Sequence, residues 1–266
     1  MVSNQFDTIT WSFDRESGIG KIQLSRGDSL NALSSTLKSD IVEGFDEFRR
    51  IDEKSDGIKV RVVIVESAGE KAFCVGSDIH ELDERSSGDF DIQDVYAAPE
   101  IFNGPVIAKI DGYALGGGLE LALACDFRIA SNRSTIGLPE VDIGLIPGGG
   151  GTQRLAEIVG SSLTKRLTMT GEHVSADTAQ EWGILDDVVE AENLDEAVDQ
   201  FSNQIAEKPP TAIRALKDVI NMYRETGLEE GRRYERRVIN ELHHTEDAAE
   251  GRTAFIEDRE PNWQGK

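Results

Sequence analysis

Apolar residues recur along this chain with two different periods. Phe6 to Phe13 and Ile19 to Leu24 place them with period two around a turn at Glu16-Ser-Gly18, the pattern of a hairpin. From Leu33 to Ile51 the spacing becomes helical. Leu33, Leu37, Ile41, Phe45 and Phe48 share one face, and Ser34 or Ser35 is available as the N-cap. Val60 to Glu66 is a Val/Ile-rich run with the length of a buried strand. Val106 to Ile110 and Phe127 to Ala130 read as further strands, and Leu119 to Cys125 between them as a short helix opened by three glycines. Strand, helix and strand again predicts an α/β core with parallel pairing.

Beyond residue 150 the signals turn helical, over Thr152 to Val159, Leu163 to Thr170, Ser175 to Trp182 and Leu194 to Ile205. Lys208-Pro-Pro-Thr211 then breaks the chain. Three amphipathic helices follow, at roughly 211–224, 228–243 and 246–258. The expected organisation is a core over 1–200 and a helical region over 201–266. Three such helices alone are marginally stable, so they are expected to pack on the core or on a neighbouring subunit. Ser86-Ser-Gly-Asp-Phe-Asp91 reads as a mobile polar loop.

Composition narrows the setting. The 266 residues, 38% hydrophobic and 29% charged, fit a soluble protein with a substantial core. Apolar runs are short and broken by glycine or charge, so no membrane span is expected. Met1 to Thr10 lacks the pattern of a secretory signal. Cys74 and Cys125 cannot form a disulfide framework and lie in apolar surroundings, which favours a reducing cytoplasm. Fifty acidic residues against 28 basic ones give a net charge of −22, which repels nucleic acid. The acids are dispersed over positions such as Glu196, Glu229 and Glu250, a surface expected of a salt-loving source.

Candidate chemistry is concentrated in three segments. Gly116-Gly-Gly118 leads into Leu119-Glu120. Glycines bare the backbone, and the first N–H groups of a helix lack internal partners, so a developing oxyanion fits there. A Gly-Gly-Gly run alone is equally compatible with a tight turn. Phe73-Cys-Val-Gly-Ser-Asp-Ile79 follows a strand and can aim the Ser77 amide into a cleft. Glu120 lies among Leu119, Leu121, Ala122 and Leu123, which raises its pKa unless it is paired. Glu140, after Pro139, supplies a second carboxylate, and two carboxylates sharing one water can divide acid and base roles. The Pro147-Gly-Gly-Gly-Gly-Thr-Gln-Arg154 run reads as a flexible loop; it lacks the Gly-Lys-Ser/Thr ending of a phosphate loop. The histidines His80, His173, His243 and His244 lack zinc spacing, so no metal is expected.

Together with Leu24-Ser-Arg-Gly-Asp-Ser-Leu-Asn-Ala-Leu33, these segments resemble the crotonase (enoyl-CoA hydratase/isomerase) family over nearly the whole chain. The resemblance implies an α/β spiral of β-β-α units with a C-terminal helical trimerisation region, assembled as a trimer or dimer of trimers. It implies an acyl-CoA substrate whose thioester oxygen sits between the N–H groups of Ser77 and Gly117, with coenzyme A as part of the substrate and no separate cofactor. Both family glutamates are matched, at Glu120 and Glu140, which favours hydration of a trans-2-enoyl-CoA to the 3-hydroxyacyl-CoA. An enoyl-CoA isomerase or another crotonase-fold lyase is the alternative. Glu140 is expected as the base and Glu120 as the group orienting the water. Arg26, Ala32, Lys71, Ala72, Asp78, Ile79, Gly148 and Phe255 are the expected substrate contacts, and the loop around Arg85 to Asp94 the expected wall of the acyl pocket. His80 and Asp258 stand where the family has basic residues, which weakens phosphate anchoring.

Overall fold

The computed structural model describes residues 2–82 and 95–266; the loop expected around 85–94 lies outside the described residues. A seven-stranded sheet runs in the order β1 (Val2–Gln5), β2 (Ile9–Phe13), β3 (Ile19–Leu24), β4 (Val62–Ser67), β6 (Val106–Ile110), β8 (Phe127–Ser131) and β11 (Asp187–Val189). The first three pair antiparallel, and from β3 onward every pairing is parallel. A smaller sheet of β5 (Ala72–Cys74), β7 (Tyr113–Leu115), β9 (Thr135–Gly137) and β10 (Val174–Ser175) lies beside it. From β4 to β9 consecutive strands therefore alternate between the two sheets, and a helix follows each pair. α2 (Ile79–Leu82) and α3 (Ala97–Ile101) follow β5, α4 (Gly117–Ala124) follows β7, and α5 (Gly151–Thr170) follows β9. That repetition is a spiral of β-β-α turns.

The large sheet is apolar on both faces. Val62, Val63, Ile64 and Val65 of β4 are all fully buried, as expected for a parallel strand covered on each side. Val63 and Val65 join the main core, whereas Val62 and Ile64 pack with Leu194 and Val198 of α7 (Leu194–Ala206). α1 (Ser35–Glu53) covers the hairpin, and Ser34 is its cap, accepting from Leu37 N–H. Its Phe48 ring stacks 4.7 Å from Trp11, in space left by Gly20. The expected helices at 152–159 and 163–170 form one run, interrupted by Gly160 at φ 78°. α6 (Ala176–Glu181) is capped by Ser175.

The last three helices are α8 (Pro210–Asn221), α9 (Leu228–Leu242) and α10 (Glu246–Glu257). They are tied to the core of the same chain. Arg214 pairs with Asp52, and Lys217 reaches Asp126 at 2.8 Å and the Pro99 and Gly104 carbonyls. The terminal peptide folds back: Ile58 N–H donates to Gly265 O at 3.0 Å, and buried Asp247 accepts from the Gln264 and Gly265 amides. Val2–Gln5 and the two- and three-residue strands of the small sheet were not expected from the sequence, because such short runs carry no readable period.

Packing of α4 onto β5 is close enough to exclude a methyl group: a Cβ on Gly118 would overlap the Cys74 carbonyl oxygen. Gly118→Ala is therefore expected to cost about 1–3 kcal/mol. Gly148, with open space around it, should accept alanine within about 0.5 kcal/mol. Urea unfolding of both variants at one protein concentration checks the contrast.

Candidate active site

Three neighbouring parallel strands of the small sheet end side by side, and each delivers one part of the site. After β5 the chain turns at Gly76, φ 95°, into Ser77. After β7, Gly116 at φ 52° and ψ −128° admits the start of α4. After β9 comes the turn Pro139–Ile143, which carries Glu140. Carboxyl ends of parallel strands are where ligands bind in α/β proteins generally.

The first two turns touch. A Cβ on Gly76 would lie 3.0 Å from the Gly117 nitrogen. Leu33 N–H donates to Gly76 O at 2.7 Å and Asp78 N–H to Leu33 O at 3.3 Å, leaving the Ser77 N–H between them unengaged among the described residues. Gly117 is the first residue of α4, so its N–H has no intrahelical acceptor. Among the described residues, two free donors thus stand side by side.

Glu120, in the first turn of α4, is 2% exposed. Its Oε1 accepts from Gly149 N–H and Gly151 N–H, each at 2.8 Å. The glycine run is therefore not the flexible loop expected from sequence but a cradle for this carboxylate. Gly150 turns at φ 96°, which lets the flanking amides converge. A Cβ on Gly151 would sit 2.9 Å from Glu120 Oε1, and one on Gly149 would overlap the Tyr96 ring. Arg154 braces the cradle by donating to Gly149 O at 2.7 Å while pairing with Glu100.

Glu140 has different surroundings. Its Oε1 faces Gly116, where a Cβ would lie 3.2 Å away, and its buried Oε2 has no hydrogen-bond partner among the described residues. Burial pushes Glu140 up to about 7; its own backbone N–H opposes this and the nearby Glu120 charge adds to it. Burial also raises Glu120, but the Gly151 and Gly149 amides pull it back toward ionisation. The two acids are thus near one another, face inward and differ in proton affinity.

The remaining candidates divide. Lys71 and Ala72 line a cavity of about 210 Å³ with Gly27, Leu30 and Gly69. Ala32 does not line it; the Ala32 carbonyl accepts from Arg26 Nη1. Arg26 also pairs with Asp78 at 3.0 Å, so these two residues brace the Ser77 turn. Ile79 is 60% exposed, Gly148 is exposed, and Phe255 on α10 is 88% exposed, facing solvent rather than the site in a single chain. Sequence reasoning passed over two residues. Asn31, buried at φ 55°, donates to the Ala72 and Phe73 carbonyls at 3.0 and 3.1 Å and so fixes β5. Tyr96, 4% exposed, points its hydroxyl at Gly117. No local pattern marks Tyr96, but a compact glycine run at 148–151 signals that something large must pass close by.

Residues 14–266 match the profile of the enoyl-CoA hydratase/isomerase family. The chain belongs to that family. Among curated proteins, a short-chain-enoyl-CoA hydratase of Clostridium acetobutylicum is 37% identical over 253 residues, 92% of this chain and 94% of the relative. A carnitinyl-CoA dehydratase of Proteus mirabilis is 36% identical, covering 89% and 91%. Among solved structures, an enoyl-CoA hydratase from Bacillus anthracis superposes with a TM-score of 0.89 at 35% identity, over 98% of this chain and all of that one. The spiral described above is the crotonase fold of these enoyl-CoA hydratases, and the chain is an enzyme of their type.

The Glu140 environment has a measurable consequence for stability. The folded enzyme holds this proton up to about pH 7, whereas the unfolded chain releases it near the ordinary value of 4.5. Between those values the folded state binds more protons, so the contribution of Glu140 to stability falls as pH rises, and the loss is complete above pH 7. Glu140→Gln is expected to raise the melting temperature relative to wild type at pH 8, with the gain shrinking toward pH 4.5. Thermal unfolding across that range at fixed ionic strength tests this; a pH-independent difference would contradict it.

Proposed function

We propose that the enzyme adds water reversibly to a trans-2-enoyl-CoA, giving the 3-hydroxyacyl-CoA. The observation that carries this reading is a pair of inward-facing carboxylates of unequal proton affinity beside two unengaged N–H donors. Substrate binds with its thioester oxygen accepting from Ser77 and Gly117. Glu120, whose carboxylate form is favoured by its two amide donors, removes a proton from the water whose oxygen bonds to C3. The electron pair of the double bond moves toward the thioester oxygen, and the enolate that results is held by the amides. Glu140, protonated below about pH 7, delivers its proton to C2. This division reverses the expectation that Glu140 is the base, because the donors converge on Glu120 and, among the described residues, none reaches Glu140 Oε2. The step balances in protons and electrons through these groups alone, so the proposal invokes no metal or separate cofactor.

The coenzyme A portion is assigned to the cavity beside Lys71 and Ala72. Relatives named carnitinyl-CoA dehydratase support a second reading, dehydration of a 3-hydroxyacyl-CoA with a polar chain, which is the same chemistry run backwards. We also propose a homo-oligomer, a trimer or dimer of trimers. Ile143, Leu145 and Ile146 beside the Glu140 turn, and Phe255 and Ile256 on α10, are large apolar residues left exposed on one chain. The two buried free thiols suit a reducing compartment such as the cytoplasm.

Loss of the conjugated-thioester absorbance of crotonyl-CoA tests the proposal directly. Glu120→Gln and Glu140→Gln should each lower turnover by roughly 10²–10⁴-fold while acyl-CoA binding persists. Unchanged turnover in either variant overturns the mechanism. The ratio kcat/KM should fall above about pH 7 as the acid pair loses its last proton. The fall should be equal in both directions, since hydration consumes no net proton. A panel of acyl chains and a polar 3-hydroxyacyl-CoA separates the two readings of substrate.

A further inference from the structure

We propose that the Tyr96 hydroxyl is a third hydrogen-bond donor to the substrate's thioester oxygen, engaged when that oxygen becomes an enolate. The inference rests on the hydration reading above. Tyr96 sits immediately before α3, and its ring lies against Gly149, where any other residue would collide with it. Its hydroxyl is on the Gly117 side: a Cβ built on Gly117 would stand 2.5 Å from it. Adding one carbon–carbon bond length puts the hydroxyl within about 4 Å of the Gly117 Cα. Ser77, on the other turn, also neighbours the phenol. The hydroxyl therefore lies beside Gly117 and close to the Ser77 turn that meets it.

The chemistry of the neighbours keeps the proton on the phenol. Burial, and then the charges of Glu120 and Glu140, hold the phenol protonated far above neutral pH. The phenol thus keeps a proton that it can donate to an oxygen placed beside Gly117. A thioester carbonyl oxygen has two lone pairs, which the Ser77 and Gly117 amides fill. An enolate oxygen has a third. A third donor is therefore satisfied only as charge develops, and it lowers the barrier without tightening ground-state binding. Plain packing would require the ring and not the hydroxyl.

Tyr96→Phe keeps the ring and removes the donor. The expected result is a fall in kcat of about 10–100-fold with KM for crotonyl-CoA changed by less than about twofold. Two ligands report independently of turnover. Acetoacetyl-CoA, whose enolate places charge on the thioester oxygen, should bind about tenfold more weakly to the variant. Butyryl-CoA, a neutral saturated thioester, should bind within about twofold of wild type. A kcat within about twofold of wild type, or equal weakening of both ligands as expected of a packing defect, overturns the proposal. If the wild-type enzyme hydrates no enoyl-CoA, the hydration reading fails, while the ratio of the two binding constants still decides the role of Tyr96.

Discussion

Everything around the site is arranged to keep one negative charge out of water. Glu120 is almost wholly enclosed by the spiral core, and an unpaired carboxylate there would be costly enough to take up a proton. Two main-chain amides at 2.8 Å, from Gly149 and Gly151, oppose that outcome. Charged hydrogen bonds of this type are the strong ones. The arrangement dictates much of the local sequence. The cradle cannot carry side chains where it meets Tyr96 and the carboxylate, so it is built of glycine. Its carbonyls then need partners, and Arg154 supplies one for Gly149.

The bracing extends well beyond the site. Arg154 pairs with Glu100, which is shared with Arg224 at the end of the α8 segment, and Arg224 also meets Glu157 on α5 at 2.7 Å. The geometry of the Glu120 cradle is thereby linked to the C-terminal helices. Lys217 and Arg214 fasten the same helix elsewhere on the core. The difference between the two acids follows from this construction. One receives converging amides, and the other receives burial and a like charge, so environment rather than residue type separates their roles.

Much of this was legible in the chain itself. Long amphipathic helices such as α1 and α9 announce themselves by period, and Ser34 by its position ahead of Leu37. β4 shows as a Val/Ile run because both faces of a parallel strand are buried. The small sheet was invisible, since three residues hold no period and its pairings are set by the spiral. Glu120, Glu140, Ser77 and Gly117 stood out because glycine and proline punctuate the strand ends that carry them. The cradle did not: which carboxylate the Gly149 and Gly151 amides would meet depends on packing between elements distant in sequence. Arg26 likewise reads as a free cation until its pairing with Asp78, across 52 positions, is seen.

The two cysteines lie toward opposite ends of α4. Cys74 sits beneath the start of that helix, its carbonyl against Gly118, and Cys125 caps the end with its thiol donating to Leu121 O at 3.4 Å. Both thiols are fully buried, and burial pushes each up to about 12. Neither can meet an alkylating reagent while the helix is seated. Each label that does attach therefore records one lifting of the element that bears Glu120, and the pace of labelling at the two sites would time the motions of its two ends separately.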